Sequence, residues 1–205
     1  MLQQTQVSRV IGFYERFLAR FPTLPQLANA RPRQVREAWE GLGYYARARS
    51  LHQLAREVTR KGEMPNGTLP QDPELLRELP GIGEYTAGAI ASFAYERRAE
   101  LVDTNVARVL RRAFAPNANF KTAAGKREIW QIARRLLPRT GRATWMHNQA
   151  LMELGALICT ARVARCGACP VRRECVSGQS WAADHRSAAK PAARHAARHA
   201  TDARA

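Results

Sequence analysis

The sequence lacks any apolar run long enough to cross a bilayer, and its 45% hydrophobic content is that of a globular chain, so a membrane protein is excluded. The first residues, Met1-Leu2-Gln3-Gln4-Thr5-Gln6, lack the charged-then-apolar pattern of an export signal, which makes the cytoplasm the expected location. No stretch sustains period-two alternation, so a sheet protein is not expected. Cysteine is absent outside one short window, which leaves no distributed disulfide framework. Acidic residues are scarce. Asp and Glu number 17 against 33 Lys and Arg, giving a net charge of +16, and arginine far outnumbers lysine. That excess fits a polyanionic partner, nucleic acid before an anionic membrane surface; an arginine-rich proteome accounts for it equally well on charge alone. The last 27 residues hold five basic and two acidic side chains, so most of the excess belongs to the part that folds.

What is present reads as helix. Val7, Val10, Ile11, Tyr14, Phe17 and Leu18 recur at helical spacing until Phe21-Pro22-Thr23 stops them. Leu24 to Ala30 predicts a short second helix, and Pro32 opens a third that turns Val35, Ala38 and Trp39 inward. Gly41-Leu42-Gly43 ends it, and a fourth helix runs from Tyr44 to about Arg60. Pro65, Gly67 and Pro70 break Lys61 to Pro73 into a surface connection, and Asp72 is placed to cap a helix over Pro73 to Glu78. Lys121 to Leu137 and Ala143 to Ile158 carry two further amphipathic patterns. The expected fold class is all-α.

Two stretches carry chemistry. In the first, the Gly-rich turn Leu79-Pro80-Gly81-Ile82-Gly83 feeds a small-residue helix, a geometry that offers backbone amides to phosphate; it also suits a plain interhelix turn. Asp103 follows the apolar pair Leu101-Val102 and precedes another helix. It is the only one of four aspartates so placed, and a helix N-cap is its competing role. The second stretch is Cys159, Cys166, Cys169 and Cys175, spaced C-x6-C-x2-C-x5-C. Four clustered thiols in a cytosolic chain indicate a metal centre. With a single C-x2-C pair, the spacing favours an iron–sulfur cluster over tetrahedral zinc. Arg162, Arg165, Arg172 and Arg173 flank these thiols and would make the loop a basic, phosphate-facing knob.

Taken together, MLQQTQV, GLGYYARARSLH, LPGIGEYTAGAIAS, VDTNVARVL, HNQALMELGALICT and the four-cysteine loop resemble the helix-hairpin-helix DNA glycosylases of the endonuclease III superfamily, and within them the MutY-type adenine DNA glycosylases. The match runs collinearly from Met1 to about Gly178. It implies a base excision repair hydrolase that flips adenine, mispaired with 8-oxoguanine or guanine, out of double-stranded DNA and cleaves its N-glycosidic bond. It also implies a [4Fe-4S] cluster on Cys159, Cys166, Cys169 and Cys175, and a monomer working beside the bacterial nucleoid. By the same resemblance Asp103 is the carboxylate that stabilises the oxocarbenium-like sugar. Asn105 lies near that sugar, Gly81 and Gly83 grip phosphate, and Gln3, Gln4 and Tyr44 enter the duplex around the lesion. For Tyr44 a core aromatic is the other reading. Tyr85 stands where bifunctional relatives carry a Schiff-base lysine, so a monofunctional enzyme is expected.

The resemblance implies a helical domain with the hairpin over residues 1–140 and a C-terminal helix with the cluster loop over 141–178, while the low-complexity Ala/Arg/His composition of residues 179–205 predicts a disordered tail. It also implies shortening at both ends. The family's general-acid Glu falls two residues before Met1, and the domain that recognises 8-oxoguanine would follow the cysteines. Two alternatives stay open: a non-catalytic DNA-binding remnant, and a thymine or oxidised-pyrimidine glycosylase of the same fold.

Overall fold

A computed structural model describes Met1, residues 5–60 and residues 68–181. Among these the chain is helical, with no strand and one isolated bridge between Cys159 and Ala164. No described helix is long and apolar enough to cross a membrane. Residues 61–67, most of the expected surface connection, lie outside the described residues, as do residues 182–205 of the expected tail; residues 176–181 are helical.

The described residues divide into two compact units: those within Met1–Asp103 with Ala133–Ala150, and Thr104–Ile132 with those from Leu151 onward. In the first unit, α1 (Val7–Arg20), α2 (Leu24–Asn29), α3 (Pro32–Ala38) and α4 (Tyr45–Arg60) pack around Val10, Phe17, Leu27, Val35 and Trp39. Trp39 meets the edge of Phe17 at 5.7 Å, and its indole N–H donates to the Gly43 carbonyl at 2.9 Å. Thr23 caps α2 by accepting from the Gln26 amide at 3.3 Å, and a proline opens both α2 and α3, where its missing N–H costs nothing.

α4 serves a second cluster through Leu54 and Val58, which meet Leu76, Leu79, Ile82, Ala87 and Ala91. Those residues come from α5 (Pro73–Arg77), the glycine turn, α6 (Glu84–Ala89) and, for Ala91, the turn that continues α6. Asp72 caps α5 as its position predicts, accepting from the Glu74 amide at 2.7 Å. α6 widens into a π turn over Ile90–Ala94. The segment that follows is pinned close: a Cβ on Gly88 would lie 2.0 Å from the Glu100 carbonyl oxygen. Asn148, supplied much later by α9 (Gly141–Glu153), is buried and donates to Ser92 Oγ and to the Ala99 carbonyl, both at 2.9 Å.

The second unit begins with α7 (Thr104–Phe114), which buries Val106, Ala107, Val109, Leu110 and Ala113, and takes in most of α8 (Ala123–Leu136), where Ile129 is fully buried. The end of α9 unwinds into a second π turn, Leu154–Ile158, packed on α7. The cysteine loop follows, with 3-10 turns at Cys166–Ala168 and Arg172–Glu174.

Candidate active site

The glycine turn is shaped by what it must avoid. Leu79 and Ile82 are buried in the second cluster, which forces the residues between and after them outward. Gly81 adopts φ +78, a left-handed conformation that side chains resist, and a Cβ there would lie 2.5 Å from Ser50 Cβ on α4. Gly83 differs: it is the N-cap of α6 at φ −91, and nothing lies within 4 Å of where its Cβ would be. Gly81 and Gly83 are exposed. The first amides of α6 therefore open from a side-chain-free edge, suited to a phosphate oxygen. Glu84, at the first position of α6, puts a carboxylate near that edge.

Tyr85, on the first turn of α6, is half-buried. Burial, and then the carboxylate of Asp103, push its phenol above the ordinary tyrosine value. The fold thus brings two residues 18 positions apart in sequence into electrostatic contact. Asp103 itself is half-buried, held by Leu101 and Val102, which are 1% and 5% exposed. Tyr44 is no core aromatic: it is 57% exposed at φ +51, with the Arg47 guanidinium 4.6 Å over its ring. Arg47 also donates to the Met1 carbonyl at 3.1 Å and to Thr5 Oγ1 at 3.4 Å, tying the start of the chain to α4. Gln3 and Gln4 lie outside the described residues.

In the second unit Asn105 sits on the first turn of α7, and its Oδ1 accepts from Arg108 at 2.9 Å. Arg108 also donates to the carbonyls of Gly155 at 2.6 Å and Cys159 at 2.8 Å. Gly155 allows this close approach, since a Cβ there would lie 2.9 Å from Asn105 Cβ. One turn on, Arg112 donates to Cys159 Sγ at 3.3 Å and to the Thr160 carbonyl at 2.8 Å. The sequence reading passed over both arginines. Their signal was the spacing Asn105, Arg108, Arg112, which puts all three on one helix face.

All four cysteines are free and half-buried. Burial raises the Cys166 thiol, and Cys159, Cys169 and Cys175 raise it further, while Arg112 opposes them. The Cys175 sulfur accepts from the Gly178 amide at 3.3 Å. In number and chemistry the four thiols, two of them receiving N–H donors, match the donor set of an iron–sulfur cluster. Among the described residues, no group of three or more His, Cys, Asp or Glu side chains is placed to hold a metal ion. Arg162, Arg165 and Arg173 are exposed, whereas Arg172 is half-buried with its guanidinium 5.7 Å over the Trp181 ring.

The chain matches known proteins in sequence and in fold. Residues 1–138 match the family described as HhH-GPD superfamily base excision DNA repair protein. The chain belongs to that superfamily. Among its relatives, the adenine DNA glycosylase of Rattus norvegicus is 43% identical over 180 residues, 87% of this chain and 34% of that protein. The adenine DNA glycosylase of Mycolicibacterium smegmatis is 44% identical over 83% of this chain and 56% of that protein. The chain therefore spans about a third to somewhat over half the length of these relatives. Among solved structures, a thermostable thymine-DNA glycosylase superposes with a TM-score of 0.76 at 26% identity, covering 87% of this chain and 80% of that one. A trapped endonuclease III–DNA covalent intermediate shares the fold, with a TM-score of 0.72 at 22% identity over 88% of this chain and 81% of that one.

Proposed function

We propose that this chain acts as a monofunctional adenine DNA glycosylase, hydrolysing the N-glycosidic bond of adenine opposite 8-oxoguanine or guanine in double-stranded DNA. The observation that carries this reading is a half-buried carboxylate at Asp103 together with a phenol, rather than an amine, at Tyr85 on the helix that the exposed glycine turn opens. Its similarity at 43% identity to the adenine DNA glycosylase of Rattus norvegicus supports the choice of adenine.

Each residue has a physical task. The α6 amides beside Gly81 and Gly83 hold a backbone phosphate without reading sequence. Tyr44, exposed and stiffened by Arg47, fills the space that the flipped adenine leaves. As the glycosidic bond breaks, its electron pair leaves with adenine and positive charge grows on the sugar. The Asp103 carboxylate offsets that charge until water adds at the sugar carbon and sheds a proton. Asn105, fixed by Arg108, lies two residues beyond that carboxylate. Tyr85 has no amine with which to form an imine, so strand cleavage is not expected.

Cys159, Cys166, Cys169 and Cys175 would hold a [4Fe-4S] cluster, which when bound supplies four iron–thiolate bonds that fix the loop. Arg162, Arg165 and Arg173 would then lie along the DNA backbone. A monomer beside the bacterial chromosome is the setting that goes with this activity.

A single-turnover assay on a duplex with adenine opposite 8-oxoguanine tests the reading. The chain should release adenine. Asp103→Asn should slow it by at least about a hundredfold, on the scale of losing a key transition-state charge, while leaving duplex binding intact. Unchanged turnover in that variant would show the carboxylate is mis-assigned. Binding without base release would favour a DNA-binding role. The likeness to a thymine-DNA glycosylase favours one second reading, and thymine release from a duplex with thymine opposite guanine would establish it.

A further inference from the structure

Besides the glycine turn, the first unit holds a second feature, a basic concavity. A cleft of about 340 Å³ lies between α3 and α4, lined by Arg33, Arg36, Arg49 and His52 together with Tyr45 and Val35; no carboxylate lines it. Spacing brings these side chains together. Arg33 and Arg36 are three apart on α3, and Tyr45, Arg49 and His52 follow one face of α4 at intervals of four and three. Arg33 is already committed, its Nε donating to Glu37 Oε1 at 2.8 Å. Arg36 and Arg49 form no ion pair or side-chain hydrogen bond among the described residues. His52 is 7% exposed, and its Nε2 is buried without a hydrogen-bond partner.

Each point bears on what the cleft can take. Two uncommitted guanidinium groups facing one hollow repel each other, and an anion between them removes that repulsion. Guanidinium forks match phosphate oxygens in geometry as well as charge. The His52 ring, whose Nε2 is closed off from solvent, forms part of the floor of the cleft rather than a contact for the ligand. The volume lies at the lower end for small-molecule sites, larger than a bare phosphate needs. The 39%-exposed ring of Tyr45 and the buried Val35 supply a flat, apolar wall.

We propose that this cleft binds the phosphate ester of a single nucleotide, with the phosphate between Arg36 and Arg49 and the base against Tyr45. The nucleotide is either free or the terminal unit of a DNA strand, since both present the same chemistry. None of the residues lining the cleft belongs to the glycine turn, and the site does not depend on which base the protein removes.

Calorimetric titration with dAMP, a 5′-phosphorylated single-stranded oligonucleotide and inorganic phosphate tests the assignment. The comparison is between the unaltered chain and an Arg36→Gln, Arg49→Gln double variant. Both arginines are exposed, so an unchanged melting temperature should confirm that the variant folds. The double variant should lose at least tenfold in affinity for dAMP or for the oligonucleotide, and whichever loses more identifies the source. Gly83→Ala, altered only at the hairpin, should bind dAMP as the unaltered chain does. Equal affinities in the double variant and the unaltered chain, or no binding of any probe, would overturn the proposal. Inorganic phosphate binding as tightly as dAMP would overturn the base-binding part.

Discussion

Tyr85 and Asp103 form a pair whose coupling can be read by titration. The phenol is raised first by burial and then by the neighbouring carboxylate, so folding favours its neutral form. The unfolded tyrosine ionises near pH 10 and the folded one above it. The stabilisation is therefore complete below about pH 10 and is lost as pH rises through the folded value. A difference phenolate titration between the unaltered chain and Tyr85→Phe should isolate a late-ionising group. Asp103→Asn should move that group toward the ordinary tyrosine value; no movement would separate the two residues. His147 has the opposite sign. Burial lowers its imidazole below the ordinary value, so the folded state resists protonation and stability falls as pH drops below about 6.5. His147→Phe should flatten that acid limb in melting temperatures measured across the same range.

At the scale of the element, the two hairpin glycines should respond differently. Gly81→Ala meets a left-handed backbone and the Ser50 side chain together, and should cost roughly 1–3 kcal/mol in denaturant unfolding. Gly83→Ala meets neither, and should change stability by less than about 0.5 kcal/mol while weakening duplex binding by crowding the α6 amides. Equal losses of stability would show that the turn is constrained otherwise than described. Elements were the most legible part of the sequence, because helical period, Pro at first turns and the Asp72 cap are local signals. The two π turns were not legible: α9 was read as one helix from Ala143 to Ile158, but it begins at Gly141 and widens from Leu154. A π turn has no local composition of its own. Here the second one packs on α7, where Gly155 closes on Asn105, a contact fixed by tertiary structure. The Arg108 and Arg112 contacts escaped for the same reason, since their acceptors lie 47 to 51 residues downstream. The coupling of Tyr85 to Asp103 was likewise invisible, although each residue had been singled out.

Over the molecule as a whole, the two units should differ in their dependence on metal. The cysteine loop has little apolar packing, with Val163, Val171 and Val176 all exposed, so iron–thiolate bonds would be its main restraint. Chelation under reducing conditions should strip hydrogen-exchange protection from residues 159–178 and leave it in α5 and α6, whose cluster includes the fully buried Leu76 and Ala87. Equal loss in both would show that the first unit also depends on the metal.

That first unit is not continuous in sequence. The chain leaves it at Asp103 and returns at Ala133, and Asn148 fills polar positions created by Ser92 and Ala99, 56 and 49 residues earlier. During synthesis those two groups emerge from the ribosome long before the side chain that satisfies them. A nascent chain that has reached only Asp103 carries the hairpin without the amide that closes the cluster behind it, so this half of the protein is completed by its late residues and must wait for them.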